Sequence, residues 1–144
     1  MISTLDKAVA HSIRDLVTRM HSRLKRQVSN PEQLSMAELN VMSQLMNHGD
    51  QAPSDLCVQL HISSQFMSQV LKRLEGLGFV SRKTSPEDKR KSFVLLTKKG
   101  KAKINDSRQE REEWLANLIA KHYTGEDKKA ILKAVELLLI LPEL

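Results

Sequence analysis

The spacing of apolar residues is the feature that most constrains the fold. Over most of the 144 residues they recur at steps of three and four, beginning with Leu5 and Val9, which is the period of an amphipathic helix. Two short extended runs, residues 79–84 and 92–96, break this period and flank a charged segment containing Pro86, as in a hairpin. Five Gly and four Pro are too few for a turn-rich all-β fold. The sequence therefore predicts a mainly α protein with one small β-hairpin, an α+β arrangement.

Local signals mark the predicted helix ends. Ser35 and Glu38 match a capping box, in which a hydroxyl and a carboxylate bond free amides at a helix start. Ser63 and Thr97 are further N-cap candidates. The predicted helices are a long first one ending at Asn30-Pro31, a second from Ser35 to Gly49, a short third from Pro53 to about His61, a fourth over residues 63–77, a fifth from Lys98, and a last from about Glu126 to Leu141.

The positive charge is concentrated in the middle of the chain. The net charge is +6, from 23 Lys and Arg against 17 Asp and Glu. Between Lys72 and Lys103, eleven basic residues face three acidic ones, a net of +8, so the rest of the chain carries −2. A basic middle flanked by nearly neutral ends is typical of a surface that binds a polyanion.

The order helix, helix, short helix, turn, helix, hairpin inside this basic window predicts a winged helix-turn-helix. A recognition helix enters the DNA major groove through its N-terminal turns, which need short polar groups on one side and aliphatic residues on the other. Phe66 interrupts the polar side and has two interpretations, contact with a thymine methyl or packing on the preceding helix. The candidate base readers are Ser63, Ser64, Gln65, Ser68 and Gln69, with Lys72 and Arg73 for phosphates.

The hairpin tip, residues 85–91, forms the second predicted DNA contact. Lys89, Arg90 and Lys91 lie there, and a narrow minor groove attracts Arg through its negative potential. Asp88, two residues before Arg90, can hold the guanidinium in a fixed pose. Arg82, just after the recognition helix, completes the predicted DNA-binding set.

From about Leu34 to Gly100, and in helix layout over the whole chain, the sequence resembles the MarR family of transcriptional regulators. The segment from Pro86 to Arg90 is similar to the family's D-x-R wing tip, and Val94 to Gly100 is similar to the strand and L-T-x-x-G helix start that follow it. The segment 74–82 is similar to the family's recognition-helix exit. By position, the resemblance implies a minor-groove contact by Asp88 and Arg90. The implied major-groove readers are Ser64, Gln65, Ser68 and Gln69.

The resemblance also implies an architecture and a function. One domain, residues 1–144, would contain a winged part, 34–100, and dimerisation helices, 1–30 and 101–144, that interlock in a homodimer. The last helix supports this independently, since residues 135–141 are apolar on more than one side. The implied function is a dimeric, sequence-specific regulator of double-stranded DNA with an inverted repeat, a repressor relieved by a small-molecule effector. The alternatives are an architectural or RNA-binding winged-helix protein without sequence preference, and a winged domain used only for protein assembly.

Other functional classes have little support in the sequence. No Gly-rich phosphate loop, H-E-x-x-H or G-x-S-x-G motif occurs, so we expect neither an enzyme nor a cofactor. The five histidines include no pair three or four residues apart, so no metal site is expected. The single Cys57 is either a redox sensor or a buried filler. No apolar stretch reaches the length of a membrane span, and we expect a cytoplasmic protein with no membrane partner.

Overall fold

The computed structural model describes residues 1–144 and confirms a mainly α fold with one antiparallel hairpin. Six helices and two strands occur, followed by a short 3₁₀ turn. They are α1 Thr4–Lys25, α2 Met36–His48, α3 Pro53–Leu60, α4 Ser64–Gly76, β1 Val80–Thr84, β2 Ser92–Leu96, α5 Lys98–His122, α6 Gly125–Leu138 and the 3₁₀ turn Leu141–Glu143.

Side-chain caps begin most of these helices. The capping box predicted for Ser35 and Glu38 is formed, and the Ser63 hydroxyl accepts a bond from the Phe66 amide at 3.2 Å. The Thr97 hydroxyl accepts a bond from the Gly100 amide at 3.1 Å, as predicted for the start of α5. These local bonds explain why short polar residues stand immediately before the helices.

Two predicted helix ends are wrong. The first helix stops at Lys25 rather than at Asn30-Pro31, and the Asn30 side chain hydrogen-bonds the Leu34 backbone in the loop that follows. The last helix stops at Leu138 rather than at Leu141. Pro142 excludes Leu141 from the α-helix, since proline has no N–H to donate to the Leu138 carbonyl, and the chain continues as a 3₁₀ turn.

Residues 29–108 form one compact unit around a single apolar core. The residues at its centre come from α2, α3, α4 and both strands, and Phe79 is its largest fully buried side chain. The strands pair from Val80 opposite Leu96 to Thr84 opposite Ser92. Gln51 adds a bridge that the sequence did not predict, bonding Val94 through both backbone groups at 3.1 and 2.7 Å. The wing is thus attached to the segment that leads into α3.

Gly100, in the first turn of α5, lies against the backbone of Phe79. A Cβ at position 100 would overlap the Phe79 carbonyl oxygen and stand 3.0 Å from Cδ2 of Leu96. The same carbonyl accepts a bond from the Thr97 amide at 3.0 Å. This close approach of two backbones gives a physical reason for glycine in the Leu-Thr-x-x-Gly pattern.

Residues 1–28 and 109–144 form a second compact unit. No residue of α1 or α6 is buried. The Arg23 guanidinium lies over the Trp114 ring, 5.4 Å from its centroid. Many aliphatic side chains are exposed here, among them Leu5, Leu16, Val17, Leu132, Leu137 and Leu139. None of the helices combines the length and the apolar character that spanning a membrane requires.

Candidate nucleic-acid interface

The helix α4 has one apolar and one polar side. Met67, Val70, Leu71 and Leu74 are all buried in the core. Because the polar residues between them fall on the other side at helical spacing, they face away from the core. The predicted DNA-contacting residues of α4 and its cap are all exposed: Ser63, Ser64, Gln65, Ser68, Gln69, Lys72 and Arg73.

Phe66 remains largely outside the core. Its side chain is 46% exposed, whereas the other phenylalanine next to α4, Phe79, is 1% exposed. An aromatic ring exposed among serines and glutamines is unusual on a solvated helix. Because nearly half of Phe66 is exposed, it is not fully packed against the protein. Both interpretations of the ring, packing and contact with a thymine methyl, are therefore retained.

The wing tip is organised by Ser85 and Asp88. The Ser85 amide donates a hydrogen bond to the Lys91 carbonyl at 2.8 Å, which closes the loop. The buried Ser85 hydroxyl accepts bonds from the amides of Glu87 and Asp88 at 3.3 and 3.4 Å. The sequence did not predict this role of Ser85, although serine before proline is a recognised turn signal. The result is a folded tip rather than a loose loop.

Asp88 holds Arg90 as predicted. Its Oδ1 accepts bonds from the Arg90 amide at 3.0 Å and from Arg90 Nε at 3.3 Å. The Arg90 side chain is nevertheless 92% exposed. Its neighbours Lys89 and Lys91 are exposed too. The tip therefore presents three cations to solvent, one of them oriented by a carboxylate.

Arg73, predicted to bind phosphate, and Arg82, predicted to lie in the DNA-binding set, are both paired with carboxylates of the protein. Arg82 Nε lies 2.6 Å from Glu75 Oε1, which joins β1 to the end of α4. Arg73 Nη1 lies 2.5 Å from Glu38 Oε2, and Arg73 Nη2 donates to the Glu32 carbonyl at 2.7 Å. Both side chains remain partly exposed. The sequence could not show these pairs, because partners 7 and 35 positions apart follow no local pattern.

Glu38 is charged despite being buried. Burial opposes ionisation of its carboxyl, but the bonds from Arg73 and from the Ser35 amide outweigh burial and hold the pKa of Glu38 below its usual range. The carboxylate is thus a stable partner for the Arg73 guanidinium at neutral pH.

The remaining candidate groups do not assemble into a site. Cys57 is half-buried on α3. No group of three or more His, Cys, Asp or Glu side chains is placed to hold a metal ion. The features that combine charge, exposure and order are the outer side of α4 and the wing tip.

Comparison with known proteins identifies the family. The MarR family profile matches residues 34–92. An uncharacterized HTH-type transcriptional regulator of Mycobacterium leprae is 31% identical over 121 residues, which cover 81% of this chain and 83% of that one. An uncharacterized HTH-type regulator of Bacillus subtilis is 30% identical over 99 residues, which are 69% of this chain and 60% of its own length.

Solved structures share the fold. A transcriptional regulator of Pseudomonas aeruginosa superposes with a TM-score of 0.83 at 25% identity, covering 99% of this chain and 98% of that one. The apo form of MarR from Escherichia coli superposes with a TM-score of 0.63 at 22% identity, covering 87% and 95%. The family profile and the 31% identical relative of Mycobacterium leprae, together with the helix-turn-helix and the wing already described, show that the chain belongs to the MarR family of DNA-binding transcriptional regulators.

Proposed function

We propose that this protein is a dimeric, sequence-specific repressor that reads an inverted repeat in double-stranded DNA and is released by a small-molecule effector. In this proposal α4 and its cap, residues 63–77, enter the major groove, and the wing, residues 85–91, enters the adjacent minor groove. The observation that carries the proposal is Arg90, whose side chain is 92% exposed and yet oriented by Asp88. A cation that is both exposed and held suits insertion into a narrow groove.

The base readers in this proposal are the exposed polar residues of α4. Glutamine can bond adenine through two atoms, and serine can donate or accept toward any base. Gln65 and Gln69 are the candidates for the first kind of contact, and Ser63, Ser64 and Ser68 for the second. Lys72, Lys89 and Lys91 would bind phosphates and so contribute affinity without sequence preference.

The proposed partner of the unit formed by residues 1–28 and 109–144 is a second copy of the chain. An apolar groove in this unit is lined by α1 and α6 residues, including Val9, Ile13 and Leu137. Exposed aliphatic surface of this extent is typical of an interface rather than of a monomer. A homodimer joined through residues 1–30 and 101–144 would present two copies of α4, and its two-fold symmetry calls for half-sites about one helical turn apart.

Selection of duplexes from a random pool by the purified protein tests this proposal. We expect enrichment of an inverted repeat, and light scattering of the bound complex should give two chains per duplex. Enrichment of RNA over DNA, or of no sequence at all, would favour the architectural or RNA-binding alternative instead. To test repression, a reporter gene is placed behind the selected duplex, and its expression should fall when the protein is present. To test release by an effector, small phenolic acids are screened for compounds that restore this expression.

A further inference from the structure

The guanidinium of Arg73 is held on two sides by the protein. Nη1 bonds the Glu38 carboxylate at 2.5 Å, and Nη2 donates to the Glu32 carbonyl at 2.7 Å. Glu38 is only 5% exposed, so its charge depends on this partner. Arg73 stands on α4, the proposed recognition helix, and both acceptors belong to the segment that begins α2. The pair therefore joins α4 to the start of α2.

The Glu38 end of this contact is itself fixed. Glu38 Oε2 also accepts a bond from the Ser35 amide at 2.7 Å, and the Glu38 amide donates to the Ser35 hydroxyl at 3.2 Å. Since these bonds form the capping box of α2, the carboxylate cannot follow Arg73 if α4 moves without breaking the cap. Glu38 thus acts as a rigid acceptor.

The loop that supplies the second acceptor is equally ordered. The Asn30 side chain bonds the Leu34 amide at 2.8 Å and the Leu34 carbonyl at 3.1 Å. The Glu32 carboxylate lies 3.0 Å from Lys103 Nζ, and Lys103 also donates to the Ser29 carbonyl at 3.0 Å. These contacts join the loop to α5. A guanidinium fork that binds such a support in two directions restricts both sliding and rotation of α4.

We propose that Arg73 is a positioning residue for DNA recognition, which together with Glu38 sets the orientation of α4 in the major groove, and is not a phosphate ligand. This inference rests on the proposed function of α4 as the recognition helix. It also replaces the phosphate contact that the sequence predicts for Arg73. Its physical basis is that base reading requires the helix to be held to within a fraction of an ångström, whereas phosphate binding tolerates a flexible cation.

The two roles of Arg73 predict different effects of Glu38→Gln, one on the affinity for every duplex and one on the preference between duplexes. If Arg73 binds phosphate, the substitution frees the guanidinium and removes a negative charge, so affinity rises for every duplex. If Arg73 positions α4, the substitution weakens its anchor, so the preference for the selected duplex over a scrambled one falls. Glutamine at this position still serves the capping box, so α2 keeps its start.

The test is a fluorescence anisotropy titration of Arg73→Gln, Glu38→Gln, the double variant and wild type on the selected and the scrambled duplex, at several salt concentrations. We expect each single variant to reduce the preference for the selected duplex by about 3- to 30-fold, and the double variant to lose no more than either single one. The slope of log affinity against log salt should stay that of wild type in Arg73→Gln, since no phosphate contact is lost.

Lys72→Gln is the matched control, because Lys72 is the adjacent exposed cation of α4. It should weaken binding to both duplexes equally and reduce the salt slope by about 0.9. An equal gain in affinity on both duplexes in Glu38→Gln, with the preference for the selected duplex unchanged, or a reduced salt slope in Arg73→Gln, would overturn the positioning role. A wild-type protein without preference between the duplexes would instead refute the proposed function itself. Thermal melting of each variant verifies that the variants compared are folded.

Discussion

Asp88 Oδ1 accepts two bonds from Arg90, one from its amide at 3.0 Å and one from Nε at 3.3 Å, while the Arg90 side chain stays 92% exposed. The two residues have different roles at the wing tip. Arg90 supplies the cation, and Asp88 limits the positions that the cation samples before DNA arrives. Ordering before binding lowers the entropy that association must overcome.

Substitution at these two positions should separate the two contributions. Arg90→Ala should weaken binding to both the selected and the scrambled duplex. It should also reduce the slope of log affinity against log salt by about 0.9, because one cation close to the DNA phosphates is lost. Asp88→Ala should keep that slope and lower only the preference for the selected duplex. Anisotropy titrations over a range of salt measure both quantities. Lys121→Ala, an exposed cation near the end of α5, is the control and should change neither. An unchanged salt slope in Arg90→Ala would contradict the wing contact.

Phe66→Ala distinguishes the two interpretations of that ring. Phe79 is 1% exposed, and Phe79→Ala should cost about 3–5 kcal/mol of stability. Since Phe66 is 46% exposed, we expect Phe66→Ala to cost less. If Phe66 contacts a thymine methyl, Phe66→Ala should also relax the base preference at one position of the selected duplex. Urea unfolding and a repeated selection measure the two effects. A stability loss as large as that of Phe79→Ala, with base preference intact, would assign Phe66 to packing alone.

Gly100→Ala should destabilise the winged unit, because a Cβ there overlaps the Phe79 carbonyl oxygen. We expect a loss of about 1–3 kcal/mol or more in the free energy of unfolding, as for other overpacked sites. Gly76→Ala is the matched control, since nothing lies within 4 Å of its added Cβ and alanine is the better helix former. It should be neutral, or stabilising by up to about 1 kcal/mol. Similar unfolding curves for the two variants would contradict the close backbone approach.

The pH dependence of stability should report the Glu38 carboxylate. Its pKa is lowered in the folded protein because the bonds from Arg73 and the Ser35 amide exceed the effect of burial. Between the lowered pKa of the folded protein and the ordinary glutamate pKa of about 4.3, the unfolded chain therefore binds more protons than the folded one. The stability that Glu38 contributes is complete above that pKa and is lost as the pH falls through the lowered folded value.

Glu38→Gln should accordingly flatten the decline in unfolding free energy between about pH 5 and pH 3, where carboxylates become protonated. Urea unfolding at several pH values measures that decline. Glu112→Gln, an exposed glutamate of α5, is the control and should follow wild type. A decline in Glu38→Gln as steep as that of wild type would show that Glu38 is not the group responsible.

Local features of this fold were predictable, and distant pairings were not. Ser35, Ser63 and Thr97 cap the helices that their sequence context predicts, because a cap is decided within four residues. Asp88 and Arg90 are close enough in sequence for their contact to follow in the same way. Such short-range bonds depend on spacing alone, and spacing is visible in a sequence.

The partners of Arg73 and Arg82 depend on tertiary packing instead. Glu38 is 35 positions from Arg73, and nothing local distinguishes it from the other acidic residues of the chain. The bridge between Gln51 and Val94 is equally remote. Phosphate binding was therefore the natural expectation for an arginine on α4, although its guanidinium is bonded within the protein.

The central claim, sequence-specific reading of DNA by α4 and the wing, is tested most directly by one ratio. This ratio compares the Kd of the wild-type protein for a scrambled duplex with its Kd for the duplex it selects, both at physiological salt. We expect a ratio of about 10³ or more, with affinity for both duplexes falling steeply as salt rises. A ratio near one would contradict the claim and leave a winged-helix protein that binds nucleic acid without reading it.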